Sequence, residues 1–338
     1  NSMQNSQNTR SKFRILSTLF LWVTFFGLLA VGFWGWNNKW EIHDRWSARN
    51  YEATTDSSRV LKNLNLTSKG ELVYKASKTE VDGKGKFKTL CPVERYEQAS
   101  VLGCYTQRKI YVLKVDEPKL SGVEEVTAAH ELLHAKFERM DEDQKVKLKS
   151  LLGALESEIT DPETLSLVAS YKTEIGDGRD LDNEKFAIFG TQLADVGPEL
   201  EEVYSEYFKN RTQIVEFYKK YNGEFKAVEA QVVGFDKQLE DLKAQKDKLE
   251  NDLKVLNEDL EFRQGKIEEL QNSDGREEYA SEVKRYNNEV GAYNIKVEQI
   301  KTIIAEYNQI VELRNTVALS AKDLQDKLDA NVEEKNVD

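Results

Sequence analysis

Residues 126–137 read Val126-Thr127-Ala128-Ala129-His130-Glu131-Leu132-Leu133-His134-Ala135-Lys136-Phe137, and their spacing predicts a buried helix with one metal-binding face. On an α-helix, positions i and i+4 share a face, so His130 and His134 can meet one ion together. Glu131 points to the side of that face, where a carboxylate can hold and deprotonate a water. The chain has 338 residues and only three histidines, so finding two of them in this pattern is a specific signal. The flanks are uncharged from Val126 to Ala129 and again at Leu132, Leu133 and Ala135, as suits a helix buried behind its ligands. Lys136 departs from this, and Phe137 is expected to take over its packing role. The plainer alternative is an amphipathic helix with two surface histidines, which leaves both histidines and the glutamate idle.

A catalytic zinc site needs a third protein ligand and an open water position. In metzincins a His follows six residues after the second, with a Gly between. Here position 137 is Phe and position 140 is Met, which excludes that family. His43 lies far upstream, just after an apolar segment, and is expected at the surface. The best remaining ligand is Glu184, in Leu181-Asp182-Asn183-Glu184-Lys185-Phe186-Ala187-Ile188-Phe189-Gly190, where an acidic loop (Gly176 to Asp182) runs into an apolar helix. The alternative for Glu184 is an N-terminal helix charge favoured by the dipole. The acidic loop lacks the Asp-x-Asp-x-Asp-Gly pattern of a calcium site.

His130-Glu131-x-x-His134, followed some fifty residues later by Asn183-Glu184 at a helix start, resembles the gluzincin group of zinc peptidases, over about residues 70–195. The resemblance implies a zincin fold, Zn²⁺ held by His130, His134 and Glu184, and Glu131 as the base that activates water against a peptide bond. It also implies that substrate adds as a strand along the sheet edge beside the active helix. Some gluzincins place an Asp four residues after the ligand Glu to orient a zinc-bound His. Ile188 stands there in this chain, so the orienting acid falls to Asp180, Asp182 or Asp195. The oxyanion needs a donor as well, and Tyr171 and Arg179 are the candidates.

The chain is acidic, with net charge −12 and 32% charged residues, and it has no basic patch with interleaved aromatics, which argues against nucleic acid as a partner. Residues 15–36 carry no charge and would span about 33 Å as a helix, enough to cross a bilayer. Arg10, Lys12 and Arg14 precede them and Trp34, Trp36 and Trp40 follow. The expectation is a single-pass membrane protein with residues 1–14 cytoplasmic, 15–36 as the anchor, and the rest outside the cell. A cleaved signal peptide ending near Ala30-Val31-Gly32 is the competing reading, though the apolar run is long for one. Cys91 and Cys104 are the only cysteines and are expected to form a disulfide, with two free thiols as the alternative.

The expected fold class is α+β: the anchor, a small zincin-like domain over 41–197, and a long antiparallel coiled-coil hairpin over 198–331. Glu71–Ser77, Lys86–Leu90, Ala99–Thr106 and Arg108–Val115 read as strands, with a turn at Asp82–Gly85. From Leu200 to Leu270 apolar residues recur on a heptad, interrupted in kind only by Arg211, Lys246 and Arg263. A second heptad runs from Tyr279 to Val311. Ser273-Asp274-Gly275 breaks the helix between them, which predicts a hairpin with residue i beside about 548 − i. The pattern leaves residues 200–218 to pack on the preceding domain. The functional expectation is a membrane-anchored zinc endopeptidase acting on a peptide or protein, with an arm that binds a partner or gates the cleft. The alternative is an inactive zincin-like scaffold whose arm mediates surface interactions.

Overall fold

A computed structural model describes residues 22, 24–91, 101–272 and 274–332. Two compact units emerge: one takes the chain up to Tyr221 and again from Leu328, the other Asn222–Lys327.

Helices dominate the first unit. They are α1 (Lys39–Ala48), α2 (Thr55–Leu64), α3 (Ser68–Ala76), α4 (Lys84–Leu90), α5 (Val123–Arg139), α6 (Glu142–Glu156), α7 (Pro162–Ile175), α8 (Arg179–Gln192) and α9 (Gly197–Ser205). Three short strands, β1 (Glu80–Asp82), β2 (Gly103–Thr106) and β3 (Lys109–Leu113), form a sheet of order β1-β3-β2. β1 pairs parallel with β3, and β2 pairs antiparallel with it. Helix makes up 79% of the structure, so the expected α+β class is corrected to a predominantly helical fold with a small sheet.

The correction has local causes. Glu71–Ser77 reads as an alternating strand, but the Thr67 hydroxyl caps the Gly70 N–H at 3.1 Å and Lys75 pairs with Glu71 one turn away at 2.6 Å. Gly70, Val73 and Tyr74 then form a buried helical face. Gly83 starts α4 instead of a hairpin. The true hairpin turn is Gln107-Arg108, both in the left-handed region (φ 49° and 61°), which matches the twist of two-residue β-hairpins.

Alternation along β3 divides the core. Ile110 and Val112 join the main cluster with Val126, Leu132 and Leu133 of α5, while Tyr111 and Leu113 join Phe87, Cys91 and Ala330 on the other face. Cys91 and Cys104 form a disulfide there, with Cα atoms 6.0 Å apart.

The heptad from Leu200 is not one helix. α9 ends at Ser205, and the connection to α10 (Thr212–Gln271) is clamped on the loop after α2. Leu66 bridges Phe208, Thr67 N–H donates to Tyr207 O at 2.9 Å, and Lys209 N–H donates to Asn65 O at 3.1 Å. Arg211 donates to the carbonyls of Gly190, Leu193 and Ala194 and to Glu201, closing the end of α8. A side chain with this many acceptors cannot sit on a coiled-coil seam. Leu200, Tyr204, Tyr207, Ile214 and Val215 are buried in the first unit.

The second unit is a helical hairpin of α10 and α11 (Arg276–Leu328), 60 and 53 residues long. Ion pairs join Asp252 to Lys296 at 2.7 Å, Arg263 to Glu289 at 2.7 Å and to Glu282 at 2.6 Å, and Asp236 to Arg314. They hold one antiparallel register along the arm.

The expected membrane anchor is not supported. The proposed cytoplasmic segment 1–14, and residues 15–21 and 23 of the proposed span, lie outside the described residues. Residues 24–37 are helical, but no helix among the described residues is long and apolar enough to cross a membrane. The single-pass localisation built on that anchor falls with it.

Candidate functional site

α5 brings His130 and His134 to one face, and α8, packed against it, delivers Glu184. His130 Nε2 lies 3.5 Å from Glu184 Oε2, and His134 Nε2 lies 3.5 Å from Glu184 Oε1. One ligand atom from each of the three falls within 4.8 Å of the others. Zinc bound at 2.0–2.1 Å in a tetrahedron sets its ligand atoms about 3.3 Å apart. The nitrogen–oxygen spacings are near that value and longer than an ordinary hydrogen bond. Two imidazoles and one carboxylate suit zinc, and the side chains keep 11–21% exposure, so the face stays open to solvent. Burial pushes the Glu184 carboxyl up, but the imidazoles of His134 and His130 outweigh it and hold the group below its ordinary range.

Packing fixes these helices. Gly190 of α8 meets Leu133 of α5, where a β-carbon would stand 2.6 Å from Leu133 Cδ1. At the start of α5, Glu124 and Glu125 are buried against Arg59, whose Nη1 lies 2.8 Å from Glu125 Oε1. Glu124 also accepts from Val115 N–H at 2.8 Å. The acid pair sits at the positive end of the helix dipole, in a protein whose buried charges are matched.

Glu131 is 6% exposed and faces β2. A β-carbon on Gly103 would stand 3.0 Å from Glu131 Oε1, so the strand backbone runs directly beside that carboxylate. β3, the strand preceding α5, is central in the sheet of the described residues, and the edge strand beside Glu131 is β2. Leu113 N–H donates to Leu102 O at 2.7 Å, which makes Cys104–Tyr111 the next hydrogen-bonded pair. Gly103 and Tyr105 therefore aim their N–H and C=O groups away from β3, toward an edge with which no other strand of the described residues pairs.

The other candidates lie elsewhere. Arg179 pairs with Glu142 at 2.6 Å, and Tyr171 is half-buried against the main core. Asp182 faces Lys149 at 3.6 Å, Asp195 accepts from Gly197 N–H at 3.0 Å, and Asp180 is exposed. His43 meets Asp44 at 3.3 Å, away from the cluster. Two buried polar atoms near the cluster have no hydrogen-bond partner, His134 Nδ1 and Asn183 Oδ1. Gly103 carries no chemical signature in the sequence, and only the packing shows its position beside Glu131.

No protein-family model matches this chain, and no curated protein or solved structure shows significant similarity to it.

Proposed function

We propose that this protein is a zinc-dependent endopeptidase. The juxtaposition of His130, His134 and Glu184 beside Glu131 carries this reading. These three side chains would hold the ion, which when bound lowers the pKa of water toward neutrality and polarises a carbonyl. Glu131 takes a proton from the attacking water and returns it to the departing amine, so one water and one peptide bond become an acid and an amine. The open edge at Gly103 and Tyr105 aligns an extended substrate by strand addition, with the scissile bond brought past Glu131.

The test is Glu131→Gln in the full chain, assayed on a fluorogenic peptide library with zinc content measured in parallel. Zinc binding persists and hydrolysis falls at least ~100-fold, the scale of a lost general base. A variant that cleaves as well as wild type removes the mechanism. An inactive scaffold is the rival, and the intact His-Glu-x-x-His argues against it. The hairpin serves in this reading to recruit a protein partner or substrate. Removing residues 222–327 then leaves short-peptide cleavage intact and slows cleavage of a folded protein, whereas loss of a gate would raise both.

A further inference from the structure

β2 is four residues long, and its side chains alternate between the two faces of the sheet. Gly103 meets Thr127 and Glu131 of α5, and the Tyr105 hydroxyl donates to Glu138 of the same helix. Cys104 therefore points to the opposite face, where it packs with Phe87, Cys91, Tyr111, Leu113 and Ala330. Its backbone forms the hydrogen-bonded pair with Tyr111, between two residues whose own polar groups turn to the free edge. Cys104 thus holds β2 twice, by its backbone to β3 and by its sulfur to Cys91 at the end of α4. Cys91 is itself fixed: it is buried, its N–H donates to Phe87 O at 2.8 Å, and Phe87 is fully buried. A short strand paired on one side is only marginally held by its ladder, so the covalent tie carries much of what seats it. The main core does not need that tie. The cluster that joins α5 to α8 through Leu132, Leu133 and Phe189 contains neither cysteine, and the disulfide belongs to the smaller cluster on the far face of the sheet. Breaking it frees β2 without separating the helices that carry His130, His134 and Glu184.

We infer that the Cys91–Cys104 disulfide is a redox switch on cleavage, with Cys104 as its positioning residue. Intact, the bond seats Gly103 against Glu131 and holds the edge in line for substrate; reduced, it lets β2 lift from α5. The effect on cleavage rests on the endopeptidase reading above, whereas the effect on the strand does not. Cys104 is half-buried, so a reductant reaches its sulfur. The reductant is a dithiol. One of its thiolates attacks Cys104 Sγ and Cys91 leaves as a thiolate; the second thiolate then displaces Cys104. The dithiol ends as a disulfide, its two protons pass to the cysteines, and the protein disulfide ends as two thiols. His130, His134 and Glu184 take no part in this exchange.

The test uses the full chain, oxidised and then reduced with a phosphine. With one water, the phosphine turns the bond into two thiols and becomes a phosphine oxide, and it brings no thiol of its own to bind zinc. Hydrogen exchange follows the amides of β2 and β3 against those of α5 and α8. Reduction speeds exchange of the Cys104 and Tyr111 amides about 10-fold or more, while α5 and α8 keep their rates. In parallel, kcat/KM on an unstructured peptide falls about 10- to 100-fold, the scale of a misplacement near 1 Å. Re-oxidation restores both. Cys91→Ser combined with Cys104→Ser holds the reduced behaviour permanently and has no thiol to compete for the ion. Its zinc affinity, by chelator competition, stays within about twofold of wild type, because the ligands lie on α5 and α8. If the β2 amides exchange equally in both states, the switch is overturned whether or not the protein cleaves. If α5 and α8 lose protection as well, the disulfide is a staple of the whole fold and the switch is again overturned. If β2 alone loosens and cleavage is unchanged, the switch fails and the endopeptidase reading stands. If β2 alone loosens but the oxidised protein neither binds zinc nor cleaves, that reading fails and the switch on cleavage falls with it.

Discussion

Gly103 lies against Glu131 so closely that a β-carbon at position 103 would stand 3.0 Å from both Glu131 Cγ and Oε1, and 2.5 Å from Thr127 Cγ2. Neither neighbour can retreat far, since both belong to the buried face of α5. Gly103→Ala therefore displaces either the carboxylate or the edge strand by a few tenths of an ångström or more. The expected outcome is a 10–100-fold drop in kcat/KM, on the scale of a sub-ångström to ångström misplacement of a reacting group. Zinc affinity stays at the wild-type level, because the three ligands lie on α5 and α8. Equal losses of zinc and activity would mean that β2 supports the metal site instead of aligning substrate.

Glu184 stands between the two imidazoles, and its removal separates metal binding from helix packing. A ligand that binds only the folded state at a hundredfold excess over Kd contributes about 2.7 kcal/mol. Zinc is expected to raise the Tm of wild type by several degrees at that excess, with chelator reversing the gain. Glu184→Ala should show no such rise, while its metal-free Tm stays within a few degrees of wild type. A zinc-dependent rise that survives in Glu184→Ala would place the ion elsewhere.

The pairing of His130 and His134 could be read from spacing alone, because helical periodicity is local and their partner chemistry is restrictive. Glu184 followed from the Asn-Glu at the start of a helix, and the structure brings it to the pair. The disulfide of Cys91 and Cys104 could be read by counting. The strand order could not, since parallel pairing of β1 with β3 depends on a crossover that no local pattern encodes. Glu71–Ser77 shows how the period misleads: a seven-residue alternation also fits two helical turns, and the Thr67 cap decides between them. Arg211 shows the same for heptads. Its register is right for a seam, but its guanidinium is spent on the carbonyls of Gly190, Leu193 and Ala194 and on Glu201. The outward-facing edge at Gly103 was hidden because a glycine beside a carboxylate looks the same in sequence as any turn glycine.

Arg263 occupies a core position of the α10 heptad, and Glu282 opposite it is 3% exposed. Removing only the cation leaves a buried carboxylate without its closest partner, which is worse than removing both. Arg263→Leu is expected to lower the melting temperature of the arm followed by circular dichroism at 222 nm. Arg263→Leu combined with Glu282→Leu should recover or exceed wild type. Because the ion pairs also set the register, the double variant should show weaker protection of α10 and α11 amides near the tip, even where its Tm is higher. A double variant less stable than wild type would show that the pair is a net stabiliser instead of a register device.

Lys136 is the one charge among the uncharged flanks of His130 and His134 on α5, and it is buried with Nζ 3.0 Å from Glu206 Oε2 and 4.6 Å from the Tyr207 ring centre. Burial lowers its pKa to about 8, against the opposing pull of Glu206. The unfolded lysine titrates near 10.4, so between pH 8 and 10 the unfolded chain binds more protons than the folded one. Stability from this group then rises with pH across that window, by on the order of 2 kcal/mol. Above pH 10 the sign reverses. Burial raises the phenols of Tyr204, Tyr207 and Tyr221 far above their ordinary value, so the unfolded chain loses those protons first and stability falls. Denaturant midpoints measured from pH 7 to 11 should therefore pass through a maximum near pH 10. Lys136→Met removes the rising limb and leaves the falling one, giving a profile that is flat to pH 9 and then declines. A wild-type profile already flat between pH 8 and 9.5 would mean that Glu206 holds Lys136 fully charged, and that the amine is not desolvated.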